Sequence, residues 1–478
     1  MAVFEHARLR EARDIMRRLM EAGYSAYLVG GFVRDHVLGR PVQDIDIATS
    51  AVPTDVMRLF ERAIPTGIEH GTVTVISGGF SFEVTTFRRD GKYEDHRRPE
   101  SVEFVDSLTE DLSRRDFTMN AMAMDIDGRI IDPFRGQEDL AAGVLRCVGK
   151  AEKRFSEDAL RMLRCIRFAA NYDLRIDDDS WAALLKLRES LRHIAMERVR
   201  IELVKTIEGA HPERGLDLLL RSRLLACTKE PLGWRPYADP PSRARAEGDG
   251  AEADGRLAVF ASSPNATSSA DPAGVSCPSG MPGSFPAPAG LSEMSAGARW
   301  ASLFVAGGHT AEEADTIMRK LTFSNDAKQH IVRIVSMYHD VRSSWRELFD
   351  RKAPQSAAGD GEFLEGYRSK LVECAIRYGR EAAFECAELL ERPEADRPKA
   401  VDGKTVRTWL DSVAVWTPVE LAVSGHDMMA LTKEKRPGPW LGKLLHRLTL
   451  DAALGYVTNA KVELISRAKY YLEAWDMH

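Results

Sequence analysis

Residues 28–46 read LVGGFVRDHVLGRPVQDID, and the order of groups in that stretch decides the class of the N-terminal part of the chain. A short apolar run ends in Gly30-Gly31. Arg34-Asp35 open the next helix, and Asp44 and Asp46 follow, flanked by Ile45 and Ile47. The alternation across residues 42–48 suits a strand, in which side chains at i and i+2 share a face. Asp44 and Asp46 are therefore expected to project together, with Cα atoms roughly 6.5 Å apart, while Ile45 and Ile47 enter a core. Two carboxylates so placed suit hard divalent cations such as Mg²⁺, which take oxygen ligands and complete their shell with water and phosphate. Taken singly, Asp-x-Asp is common on solvated strands and Gly-Gly in turns. In this order and spacing they are the minimum equipment for moving a nucleotidyl group.

The rest of the chain sets the frame. Its 478 residues call for two or more domains. Hydrophobic content of 44% with 29% charged residues is that of a globular protein. No apolar run approaches the roughly 20 residues of a membrane-spanning helix. The first 23 residues are charged throughout, without the apolar centre of a signal peptide. They read as an amphipathic helix with Leu9, Ala12, Ile15, Met16 and Leu19 on one side. Six cysteines, at 147, 165, 227, 277, 374 and 386, include no Cys-x-x-Cys pair, which argues against a zinc site or a disulfide framework. A reducing cytoplasm is the expected compartment. The net charge of −6 does not favour a nucleic-acid partner. It does not exclude one either, because binding follows the clustering of Lys and Arg rather than their sum.

Short strand candidates (YLVGG, DIDIA, VTVISG, FEVTTF, MAMDIDG) alternate with helices from about residue 24 to 135, predicting an α+β head over 1–150 with a mixed sheet. From 151 to 228 the spacing is helical, as in FSEDALRMLRCIRFAANY. Residues 236–298 are dominated by Ala, Gly, Ser and Pro, too poor in apolar periodicity to offset the cost of ordering, and are expected to form a disordered insertion. Helical patterning returns for 299–400 and 401–478.

Further motifs carry candidate chemistry. Leu112–Asn120, LSRRDFTMN, places two arginines beside an acid and an amide, and the planar guanidinium fork suits phosphate. Asp158 and Arg161 are i and i+3 on one helix face. Such a pair is either an ordinary surface ion pair or a reader of bases. An acid accepting from an exocyclic amine beside a guanidinium donating to the ring matches cytosine and adenine and rejects uracil and guanine, by roughly 1–3 kcal/mol per bidentate contact. Arg164 and Arg167 continue the stripe in steps of three. Arg97-Arg98-Pro99 lie in a polar run, RRDGKYEDHRRPESVEF, that fits either a closing lid or a plain connection. Glu83 on the FEVTTF strand fits either a third carboxylate of the acid pair or a structural role. His339-Asp340 and His426-Asp427 lack companions in the register a metal phosphohydrolase needs, and there is no Gly-x-x-x-x-Gly-Lys-[Ser/Thr] loop.

As a set, LVGGFVRD, DIDIATS, EVTTFRRDGKYEDHRRPESVEF, EDLSRRDFTMNAMA, IDPFRGQEDL and EDALRMLRCIRFA resemble the class II tRNA nucleotidyltransferase and poly(A) polymerase family across about residues 24–228. RPGPWLGKLLHRLTLDAALGYVTN resembles, more loosely, the tail of the bacterial CCA-adding branch, of the Bacillus type without an HD domain. The resemblance implies a DNA polymerase β-like nucleotidyltransferase head followed by helical neck, body and tail. It implies Mg²⁺ on Asp44 and Asp46, and nucleotide contacts from Gly31, Arg34, Arg115, Asp158, Arg161, Arg164 and Arg167. The implied partners are tRNA lacking all or part of its CCA end, CTP and ATP, with no membrane and no protein partner. The charged segment from Asp90 to Arg98 resembles the flexible loop of enzymes that add both C and A. CC-only or A-only tRNA enzymes and poly(A) polymerases are the alternatives within the family.

Overall fold

A computed structural model describes residues 2–42, 44–91, 93–94, 98–99, 102–234, 290–351, 360–391, 401–432 and 438–476. Helix α1 (Ala2–Glu21) turns its apolar stripe inward, with Ala12, Ile15, Met16 and Leu19 fully buried. Strand β1 (Ala26–Val29) leads into α2 (Gly31–Val37), β2 (Asp46–Thr49) and α3 (Pro53–Leu59). Then come β3 (Ala63–Gly67), β4 (Thr72–Ser77) and β5 (Phe80–Thr86). Next are β6 (Arg88–Asp90), β7 (Tyr93–Glu94), β8 (Arg98–Pro99), β9 (Val102–Phe104), α4 (Leu108–Ser113), β10 (Ala123–Met124), β11 (Ile130–Ile131), α5 (Gly136–Ala141) and β12 (Val144–Leu145).

The main sheet has the order β11-β10-β1-β2-β5-β4-β3. Its neighbours are antiparallel except β2 and β5, which run parallel with Asp46 opposite Glu83. β6 pairs with β9, and β7 with β8, in two separate ribbons. The alternation read from the sequence holds for the apolar positions. Leu28, Ile45, Ile47 and Val84 enter the main core, while Val29 and Ala48 face a second cluster with Phe87 and Leu112.

The helical half follows: α6 (Ala151–Glu157), α7 (Leu160–Asn171), a short β13 (Arg175–Ile176) that pairs in parallel with β12, α8 (Asp178–Leu187), α9 (Met196–Ile207) and α10 (Pro212–Ser222). Beyond residue 290 come α11 (Ala296–Ala306), α12 (Ala311–Lys320), α13 (Asn325–Arg351), α14 (Asp360–Tyr378), α15 (Arg380–Leu390) and α16 (Gly403–Asp411). The chain closes with α17 (Gly425–Met429), α18 (Pro439–Ala453) and α19 (Lys461–Asp476).

One boundary differs from expectation. Most of the Ala/Gly/Ser/Pro stretch lies outside the described residues, but its last part, 290–298, is ordered and was wrongly assigned to the insertion. Leu291 is buried in a short 3₁₀ turn, and the Ser295 side chain accepts from the Ala298 backbone N–H to cap α11. A capping serine ahead of an apolar run is enough to start a helix. Val406 and Leu410 of α16 and Leu450 and Ala453 of α18 belong to the core running from α1 through the neck, and a smaller cluster that includes Val415, Met428 and Leu464 lies under α17–α19.

Candidate active site

A cavity of about 1160 Å³ opens between the sheet and the neck helices. At its head end, Asp46 begins β2 and Glu83 is its neighbour across the parallel ladder. Burial, followed by the charge of Glu83, pushes the Asp46 carboxyl up to about 6; Arg115 opposes the shift and Asp44 adds to it. Asp44 lines the same cavity but stands before the strand, 86% exposed, 3.5 Å from the Arg8 guanidinium. The expectation of two aspartates inside one strand is corrected here. β2 pairs with β1 only from Asp46 onward, so Asp44 sits on the irregular approach to the ladder while still facing the cavity.

The glycines act through the space they leave. Gly30 caps α2 at φ 69°, a positive φ that glycine adopts without strain. A Cβ there would stand 3.1 Å from Arg115 Nη1 and 3.9 Å from Asp46 Oδ2. Arg34, buried on α2, donates to Asn120 Oδ1 at 2.7 Å and to both oxygens of Asp35 at 3.0 and 2.8 Å. Its guanidinium lies 4.4 Å from the Tyr172 ring centroid, and the Tyr172 hydroxyl donates to Asp35.

The neck wall is arranged differently. α6 ends at Asp158, whose extended backbone breaks the helix that the sequence pattern made continuous. Asp158 Oδ1 accepts from Leu160 N at 3.0 Å, a local bond that competes with the helix ladder, and Oδ2 accepts from Arg198 at 2.9 Å. Arg161 donates instead to Glu157, to Arg154 O and to Arg114 O. The expected meeting of Asp158 and Arg161 on one helix face is thus replaced by separate partners, although both residues line the cavity. Arg164 donates twice to Asp116 Oδ2, at 2.8 and 2.6 Å, and Arg167 donates to Glu202 at 2.6 Å. Both guanidinium groups lie against Phe168. Burial raises the Asp116 carboxyl, but Arg164, the Asn120 amide and Arg161 hold it well below the usual carboxylate range.

Among the described residues, no three Asp, Glu, His or Cys side chains form a cage for a metal by themselves. The oxygen-only donors at the head end, with the Asp46 carboxyl pushed up by burial and then by neighbouring negative charge, nevertheless fit a hard cation that draws its remaining ligands from phosphate and water. The two His-Asp dipeptides have other duties. Asp340 accepts from Arg377 and Tyr378, and Asp427 completes the cap of α17 and pairs with Lys461.

Comparison with known proteins gives matches along the chain. Residues 26–146 match the Poly A polymerase head domain, 173–228 the probable RNA and SrmB-binding site of polymerase A, and 294–468 the putative tRNA nucleotidyltransferase domain 2. A CCA-adding enzyme of Oceanobacillus iheyensis is 50% identical over 214 residues, 45% of this chain and 54% of that protein. One from Geobacillus stearothermophilus is 52% identical over 217 residues, again 45% of this chain and 54% of the relative. The matched stretch thus spans about half the length of these curated relatives. The crystal structure of the Bacillus stearothermophilus CCA-adding enzyme in complex with CTP superposes with a TM-score of 0.71 at 30% identity, covering 98% of each chain. The chain belongs to the CCA-adding enzyme family. A Thermotoga maritima CCA-adding enzyme complexed with tRNA, at 17% identity and a TM-score of 0.58, shares the fold.

CCA-adding enzymes are nucleotidyltransferases, a group that generally uses a divalent metal. In this member of the family, all ten residues singled out from the sequence line one cavity: Gly31, Arg34, Asp44, Asp46, Glu83, Arg115, Asp158, Arg161, Arg164 and Arg167. The polar groups that hold them were not singled out. Arg198 and Glu202 on α9 meet the neck residues from 40 and 35 positions away, and no local pattern marks them. Asn120 stood inside a quoted motif, and its amide beside the arginine pair was the available signal. Of the expected loop from Asp90 to Arg98, residues 92 and 95–97 lie outside the described residues; Asp90 ends β6, and Tyr93–Glu94 pairs with Arg98–Pro99 in the β7–β8 ribbon.

Proposed function

We propose that the protein adds and repairs the 3′-terminal CCA of tRNA without a nucleic-acid template, using CTP and ATP and releasing pyrophosphate. The observation that carries this reading is the single cavity holding the Asp44–Asp46–Glu83 end and the Asp158–Arg161 wall together. Phosphoryl chemistry and base reading must happen on the same nucleotide, a few ångströms apart. Family membership, and the CTP complex of the Bacillus stearothermophilus relative, support the same conclusion.

Asp44 and Asp46 would hold Mg²⁺, with Glu83 as a further acid beside them. Magnesium bound there supplies Lewis acidity toward the reacting oxygens and neutralises developing charge. The chain's own groups do the rest. Arg34 and Arg115 bind the triphosphate, and the backbone at Gly30-Gly31 allows its close approach. Asp158 accepts from the exocyclic amine of cytosine or adenine, and Arg161 donates to the ring beside it. Arg164 and Arg167, oriented by Asp116 and Glu202, extend the nucleotide-binding face of the neck. The tRNA 3′-hydroxyl then attacks the α-phosphate, forming the new phosphodiester as pyrophosphate leaves. The domain division we propose is a catalytic head, a base-reading neck, a body, and a tail that grips the tRNA elbow by shape and phosphate contacts. The cytoplasm, where the tRNA substrate is found, is the proposed site of action. Among the described residues, no helix is long and apolar enough to cross a membrane.

The test is extension of tRNA ending at the discriminator base, with CTP, ATP or both, read by sequencing the 3′ ends. CCA is the expected product. Addition of CC alone, of A alone, or of a run of adenylates reassigns the enzyme within the family.

A further inference from the structure

Helix α4 runs into the cavity wall, and the Asp111 side chain near its end is only 1% exposed. Its Oδ1 accepts from Arg114 Nε and Nη2 at 3.0 and 2.7 Å, and its Oδ2 accepts from Arg115 Nη2 at 3.3 Å. The backbone N–H of Arg88, which opens β6, donates to the same Oδ1 at 3.3 Å. One buried carboxylate thus joins the end of α4 and the arginine pair that follows it to the start of β6. The next link leads to the base. The Arg114 carbonyl accepts from Arg161 Nη2 at 2.9 Å, so the backbone that Asp111 anchors is also the seat of the Arg161 guanidinium.

We propose that Asp111 is a positioning residue for nucleotide selection. Its carboxylate sets Arg115 toward the triphosphate and fixes Arg114, whose carbonyl in turn holds Arg161 beside the base. The proposal rests on the reading of Arg115 and Arg161 given above. The physical case is that a buried charge is retained only with full compensation. Burial raises the Asp111 carboxyl, and Arg114 and Arg115 more than offset this, lowering it below its ordinary value. A group that merely filled the space under α4 would need no charge. Two guanidinium groups on one carboxylate, with a backbone N–H from β6, define an orientation rather than a volume.

The experiment compares wild type, Asp111→Asn and Asp111→Glu on tRNA ending at the discriminator base and on tRNA ending in CC. KM and kcat are measured for CTP and ATP, together with the UTP-to-CTP incorporation ratio and thermal melting. Asn keeps the shape but turns an N–H₂ toward the arginines, so it is expected to raise KM about tenfold and the misincorporation ratio about tenfold, the factor that ~1.4 kcal/mol represents. Glu, which keeps the charge, should recover part of both. A folded Asp111→Asn protein with KM and ratio within about twofold of wild type, or with a fall in kcat alone, overturns the proposal. Should Asp111→Asn fail to fold, Arg114→Gln removes one guanidinium from the carboxylate. Its misincorporation ratio should rise about threefold, and an unchanged ratio in that folded variant also overturns the idea. A wild-type protein that extends no tRNA sinks the functional reading itself. A wild type that extends normally beside an unaltered variant sinks only the role of Asp111.

Discussion

Asp46 and Asp116 are partly or wholly buried acids on the wall of one cavity, and their surroundings push them in opposite directions. Asp46, crowded by burial, Glu83 and Asp44, titrates at about 6. Asp116, though buried, is held far below the usual range by Arg164. The head end therefore carries a surplus of negative charge that a bound cation relieves, while the neck wall is already balanced, each arginine lying on a carboxylate. The difference separates two tasks. Chemistry needs an unbalanced site that a metal and a triphosphate complete. Recognition needs donors and acceptors whose positions are set beforehand.

The contrast is tested most severely at the acid end. Asp46→Ala is expected to lower extension by at least about 1000-fold, roughly 4 kcal/mol of barrier, with tRNA affinity in a gel-shift assay nearly unchanged. Asp44→Ala should follow it. Residual turnover above about a tenth of wild type for both would remove the acid pair from the mechanism. On the balanced side, Asp116→Ala leaves Arg164 without its main partner and should cost about 3 kcal/mol of folding stability by denaturant titration, without a first effect on metal dependence. Asp158→Ala should relax base choice by about 2 kcal/mol before it abolishes turnover, seen as UTP and GTP incorporation; unaltered fidelity would count against base reading by the neck.

The smallest expected effect concerns pH. Because the folded-state pKa of Asp46 is raised, the folded state binds more protons than the unfolded chain between about 4 and 6. Its contribution to stability is therefore present at low pH and declines as pH rises through about 6. Without divalent metal, melting should show this loss between pH 5 and 7.5 in wild type and not in Asp46→Asn. Mg²⁺ should stabilise wild type more at pH 7.5 than at pH 5. Extension, which needs the ionised carboxylate, should fall in the opposite direction as pH drops through that range. The depressed Asp116 carboxyl has the reverse sign: its contribution holds at neutral and mildly acid pH and is lost only as pH falls toward its own low pKa.

Local pattern determined much of this protein. Period-two alternation in β2 buried Ile47 and left Asp46 facing the cavity, and helical spacing on α7 buried Leu160, Leu163 and Ile166 while Arg161, Arg164 and Arg167 line the cavity. Such periodicities are readable because a residue's facing follows from its neighbours along the chain. Where the chain comes back to itself is not encoded that way. Only the tertiary structure set Glu83 beside Asp46 across a parallel ladder, gave Arg34 its partner Asn120 from 86 residues away, and ended a helix at Asp158 so that its carboxylate meets Arg198 rather than Arg161. Those contacts depend on the path of the whole backbone, and they turned a list of acids and arginines into one unbalanced end and one balanced wall.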